Sequence, residues 1–146
     1  MAQLLIVDDE EAVRRLIRLS LERLGHDIRE AGHAQAALAA MAEKPADVVY
    51  CDVQMPGEDG IWLTGQIRNK YPTTAVILAT GVSSVAASTS MRSGVMAYLV
   101  KPFTAKALLD ATNIAIEWHN NAAAAGTNPE DVGDRLSAWL DSLDEF

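Results

Sequence analysis

Only one cysteine stands among the 146 residues, which excludes an internal disulfide framework and any zinc site built from several thiolates, and suits a reducing compartment. Bases are scarce too: twelve Lys and Arg against twenty Asp and Glu leave a net charge of −8. That sign repels phosphate backbones and argues against direct nucleic-acid binding. No apolar stretch reaches the roughly 18 residues that a membrane span requires. The short apolar run in MAQLLIVDDEE is cut off by four acids, unlike a secretory signal, so a cytoplasmic location is expected. Five Pro and nine Gly are too few for a low-complexity chain, and 49% hydrophobic with 22% charged residues is the balance of a folded domain with a real core.

The charge is unevenly spread. Residues 1–120 hold 14 acids and 11 bases, whereas residues 121–146 hold six acids and one base. The expected organisation is therefore a domain over 1–120, a linker over 121–127 and an acidic amphipathic helix over 128–146.

Short aliphatic runs recur along the first part: LLIV (4–7), VVYC (48–51), AVILA (75–79) and AYLV (97–100), with a weaker run from Asp27 to Glu30. Between them lie segments with helical spacing. In the first, Val13, Leu16, Ile17, Ser20 and Leu24 make a stripe expected to face the core, and Gly25 stands where a helix ends. Further helices are expected over Ala34 to Glu43, Asp59 to Lys70 and Ser83 to Ser93, and a fifth is capped by Thr104 and reaches about Ala124. Five strands alternating with five helices predict an α/β fold: a doubly wound five-stranded parallel sheet with helices on both faces. Continuous apolar strands agree, because a strand covered on both sides needs no polar face.

In such sheets the ligand site lies beyond the carboxyl ends of the strands. Asp8, Asp9, Glu10 and Glu11 follow the first strand, Asp52 ends the third, Thr80 follows the fourth, and Lys101 and Pro102 follow the fifth. Like charges a few Å apart repel by about 4 kcal/mol per pair at an effective dielectric near 20. Such a rim calls for a cation, and hard carboxylate oxygens without imidazole or thiolate favour Mg2+. An ammonium and a hydroxyl are groups that hold phosphoryl oxygens.

The motifs LLIVDDEE, VVYCDVQMPGEDG, AVILATG and AYLVKPF, in this order and spacing, resemble those of the receiver domain of two-component response regulators, over residues 3–120. The resemblance implies the strand order 2-1-3-4-5, with Asp52 accepting a phosphoryl group from a sensor histidine kinase or phosphotransfer protein. It implies that Asp8 or Asp9, Asp52 and the backbone carbonyl of Gln54 hold Mg2+, that Lys101 pairs with the phosphoryl oxygens, and that Thr80 moves to bond them. Tyr98 would be the aromatic half of a switch, the alternative being a plain packing role, and Lys101–Pro102 would be a cis peptide. The product is a protein-interaction switch rather than an enzyme of metabolism, read by a downstream output protein or domain. Its output surface is expected on the Ser/Thr-rich helix over 83–93, the fifth strand and the fifth helix. A second reading makes the chain the receiver fragment of a longer regulator.

Other classes fit less well. A flavodoxin-like carrier wants a Ser/Thr/Gly-rich loop after the first strand, where DDEE stands. A dehalogenase-type phosphatase wants a second acid two residues after Asp52, where Gln54 stands. A transcription factor wants a basic helix-turn-helix after residue 120, and the tail has a single base. Cys51 is expected to be a buried small hydrophobe, Trp62 lies off its helix's apolar stripe, and His26, His33 and His119 share no ligand spacing.

In the tail, Asn128 is a good N-cap and Pro129 fits the first helical position, while Val132, Leu136, Trp139, Leu140 and Leu143 fall on one stripe opposite an acidic face. A helix of about 17 residues is marginal alone in water. It is expected to dock on a receiver surface, in the same molecule or across a homodimer, the alternative being an acidic solubilising tail.

Overall fold

Five parallel strands, Gln3–Val7 (β1), Asp27–Ala31 (β2), Val48–Asp52 (β3), Ala75–Thr80 (β4) and Ala97–Val100 (β5), form one sheet in the order β2-β1-β3-β4-β5. The computed structural model describes residues 2–53, 57, 60–80, 97–100 and 103–125. Four helices are described: Glu11–Glu22 (α1), Ala34–Glu43 (α2), Gly60–Lys70 (α3) and Ala105–Ala125 (α4). The expected helix over 83–93 and the expected tail helix over 128–146 lie outside the described residues. α4 continues through 121–125 to Ala125, beyond the point where a linker is expected.

Strand periodicity sorts the core into two layers. Leu4, Ile6, Val48, Tyr50, Ala75 and Ile77 pack on one face with Ile17 and Leu21 of α1 and Leu108, Ala111, Ala115 and Trp118 of α4. Leu5, Val7, Val49, Cys51, Val76 and Leu78 pack on the other with Ala34, Ala37 and Met41 of α2 and Leu63 and Ile67 of α3. β3 is buried at every residue, as a central strand covered on both faces must be. β2 is an edge strand with exposed positions at Asp27 and Glu30, which is why its apolar signal is weak.

The helix ends follow local chemistry. Thr104 Oγ1 accepts from Ala107 N at 3.0 Å, and His33 Nδ1 accepts from Ala36 N at 3.2 Å, so a histidine does at α2 what Ser or Asp usually does. Gly25, after α1, has φ +80, a backbone conformation that side chains resist. The core stripe of α1 differs from expectation. Ile17 and Leu21 are buried and Val13 packs against them, whereas Leu16 and Leu24 are 62% and 48% exposed. Burial of Ile17 and Leu21 against the sheet sets this rotation, and it places Arg14 and Arg18 on the flank beside β2, where their Nε and Nη1 atoms pair with Glu30 at 3.2 and 2.6 Å. Among the described residues no helix is long and apolar enough to cross a membrane.

Candidate functional site

Strand register assembles one rim. Val7 pairs with Cys51, Cys51 with Leu78, and Leu78 with Tyr98; one step further along, Asp52 pairs with Ala79 and Ala79 with Leu99. Asp8 leaves β1 beside Asp52, Thr80 pairs with Val100, and Lys101 is next in the chain after Val100. Asp8, Asp9, Asp52 and Thr80 therefore converge on the carboxyl edge of the sheet. For Thr80 and Tyr98 the backbone position is described, while Gln54, Lys101 and Pro102 lie outside the described residues.

Asp8 is 2% and Asp52 5% exposed. A carboxylate that deep requires satisfied oxygens. Asp8 Oδ1 accepts from Glu10 N at 2.9 Å, fixing the loop that opens α1, and its backbone carbonyl accepts from Arg14 Nη1 at 2.6 Å. Asp9 and Glu10 are exposed beside it. One carboxylate oxygen from each of Asp8, Asp9 and Glu10 lies within 4.8 Å of the others. The donor set is all hard oxygen, at the positive end of the α1 dipole, and suits a divalent cation of the Mg2+ type and the anions it carries.

Two residues that contribute to the site are not legible from spacing alone. Arg14 clamps the carbonyl of Asp8 while its Nε holds Glu30, tying the acidic loop to β2. Gly60, at the start of α3, packs directly under the backbone of Asp52, and its N–H donates to the Val53 carbonyl at 3.1 Å. The signal for Gly60 would have been a glycine at a helix start that needs no left-handed conformation, since the positive-φ glycines among the described residues are Gly25 and Gly57. Cys51 is buried, as expected, and Trp62 is 37% exposed. None of the three histidines joins the acidic cluster: His26 and His119 lie toward the amino edge of the sheet, and His33, which follows β2 at the carboxyl edge, is engaged at the start of α2. His26 Nδ1 accepts from Ala2 N, His33 caps α2, and His119 bridges the Thr73 carbonyl and Asp47.

A doubly wound sheet of this order with buried carboxylates at its carboxyl edge defines a class of phosphate- and cation-handling α/β domains. Residues 4–113 match the family described as the response regulator receiver domain. The chain belongs to that family, whose members are phosphoacceptor switches rather than classical enzymes and act with histidine kinases and output domains. It is 43% identical over 110 residues to response regulator protein FleR of Pseudomonas aeruginosa, covering 75% of this chain and 23% of that protein. It is 37% identical to transcriptional regulatory protein ResD of Bacillus subtilis, covering 70% and 42%. The chain thus spans less than half the length of these curated relatives. The crystal structure of a receiver domain protein from Clostridium thermocellum superposes with a TM-score of 0.75 at 33% identity, covering 80% of this chain and 95% of that one. NtrX from Brucella abortus gives 0.80 at 30% identity, covering 86% and 29%.

Proposed function

We propose that Asp52 is the phosphoacceptor of this receiver. The observation that carries the assignment is a carboxylate 5% exposed at the carboxyl end of the central strand β3, one strand from the acidic loop after β1. An Oδ of Asp52 attacks the phosphorus of a phosphohistidine on a sensor kinase or phosphotransfer protein. A P–O bond forms as the P–N bond breaks, and the imidazole leaves with the bonding pair and takes up a proton. The product is an acyl phosphate on Asp52.

Asp8, Asp9, Asp52 and the Gln54 carbonyl would hold Mg2+, which when bound neutralises phosphoryl oxygens. Arg14 keeps the acidic loop in place through the Asp8 carbonyl. Lys101 and Thr80 are assigned to the phosphoryl oxygens from their positions after β5 and at the end of β4. Tyr98, on β5, is assigned to the switch, and Lys101–Pro102 to a cis peptide. The added charge and its acceptor oxygens draw these groups inward and bias a two-state surface. The output that reads it is carried by a separate protein or domain, since this chain corresponds to the receiver portion of longer relatives.

A small acyl phosphate donor with Mg2+ should add one phosphoryl mass to the protein without a kinase, and Asp52→Asn should show none. Equal incorporation in that variant would falsify the assignment.

A further inference from the structure

α1 carries two leucines that a folded helix normally buries: Leu16 is 62% and Leu19 56% exposed. At 100° per residue they lie across the helix axis from Arg14 and Arg18, whose ion pairs to Glu30 mark their flank as the one beside the edge strand β2. The leucine flank is therefore turned away from β2 and outward to solvent, on the side of α1 where α4 shares the same sheet face and core layer. The charge there is basic. Residues 11–23 hold four arginines against two glutamates, and Arg15 and Arg23 have no carboxylate at ion-pair distance among the described residues.

The chain beyond α4 has the complementary character and starts in the right place. His119 binds the Thr73 carbonyl and Asp47, which precede β4 and β3, so α4 ends at the amino edge of the sheet. α1 ends at that edge too, before β2 begins at Asp27. From Gly126 onward 21 residues remain, with six acids, one base and the stripe Val132, Leu136, Trp139, Leu140 and Leu143. A helix of about 17 residues spans about 26 Å, more than the roughly 18 Å of α1.

We propose that residues 128–146 fold back in the same molecule along the Leu16/Leu19 flank of α1, covering these leucines with the apolar stripe and setting carboxylates toward Arg15 and Arg23. The contact supplies the burial that a marginal helix lacks. The inference stands apart from the assignment of Asp52, because it concerns a different surface and needs no phosphorylation.

The test is Trp139 fluorescence in the full chain, isolated as the difference between the native protein and Trp139→Phe. The expected emission is shifted to shorter wavelength than free tryptophan in water and is independent of protein concentration. It should move to the water-exposed wavelength in Leu16→Glu/Leu19→Glu, two positions outside the packed core of the domain. Amide exchange in α1 should also quicken when 128–146 are removed. A water-exposed Trp139 in the native chain overturns the proposal, and so does shielding that survives both leucine substitutions. Shielding lost on dilution assigns the contact to a second copy and overturns the intramolecular form.

Discussion

Gly60 presses its Cα against the backbone carbonyl of Asp52: a Cβ at that position would lie 2.9 Å from the carbonyl carbon, closer still to its oxygen, and 3.0 Å from Cys51 Sγ. The neighbours are mostly backbone, which cannot swing aside, so the first residue of α3 sets where the end of β3 lies. Gly60→Ala should destabilise by about 1–3 kcal/mol, as overpacking does, and should lower phosphoryl incorporation at Asp52. Gly65, one turn further on in the same helix, is the matched control, because a Cβ there meets nothing within 4 Å. Gly65→Ala should stabilise by about 0.5–1 kcal/mol through helix propensity. Equal melting temperatures for the two variants would remove Gly60 from the site.

The acidic loop makes an opposite pair of predictions for metal-free and metal-loaded protein. Asp9 is exposed, with a carboxylate oxygen within 4.8 Å of one on Asp8 and one on Glu10. Asp9→Asn removes one negative charge from that cluster, so the variant should melt higher than the native protein in chelator. It should also gain less from added Mg2+, since a ligand stabilises only as far as it binds the folded state. Asp8→Asn keeps an acceptor for Glu10 N and separates charge from hydrogen bonding at the buried position. A full Mg2+ response in the Asp9 variant would move the ligand role to Asp8.

Strand spacing and the position of each acid at a strand end made most of the fold and the rim readable from sequence. The runs at 48–51, 75–79 and 97–100 coincide with β3, β4 and β5 to within a residue, because buried parallel strands are continuous apolar runs bounded by polar residues. The rotation of α1 was not readable. Leucines at 16, 19, 21 and 24 allow more than one helical stripe, and the choice among them is made by packing in the folded chain, where Ile17 and Leu21 meet the sheet and Arg14 and Arg18 reach Glu30 across 12 to 16 residues. Gly60 was hidden for a related reason: its requirement is a clash with a residue eight positions away, which no local periodicity encodes. His26 and His119 were silent because they bond backbone groups and a carboxylate reached only in the folded chain, and His33 because its cap of α2 is a role usually filled by Ser or Asp.

Tyr50 and Thr112 join β3 to α4 by a hydroxyl–hydroxyl hydrogen bond inside the core. Burial pushes the Tyr50 phenol well above its ordinary pKa, so it remains a neutral hydroxyl. Thr112 Oγ1 also donates to the Leu108 carbonyl at 2.7 Å, so Tyr50→Phe leaves Thr112 with a partner and should lower stability by about 1 kcal/mol. Thr112→Val strands the buried phenol and should be worse, about 1–3 kcal/mol. The double variant should lose less than the two single losses added together, as coupled neighbours do. Strict additivity in denaturant unfolding would show that the two hydroxyls do not interact.

His26 supplies a pH dependence of known sign. Its Nδ1 accepts from Ala2 N at 3.1 Å, which requires the neutral ring, and burial together with the positive amino terminus lowers its pKa from the ordinary 6.5. A base with a lowered folded pKa binds its proton more readily in the unfolded chain. Its contribution to stability is therefore complete above about pH 6.5 and is lost as the pH falls from there through the folded value. The native protein should lose more stability than His26→Gln between about pH 7 and pH 5. His119, which faces Asp47 in both proteins, cancels in the difference. Melting curves at the two pH values decide it: a variant that falls as steeply as the native chain would show that protonation of His26 does not weaken the link between the start of β1 and the turn before β2.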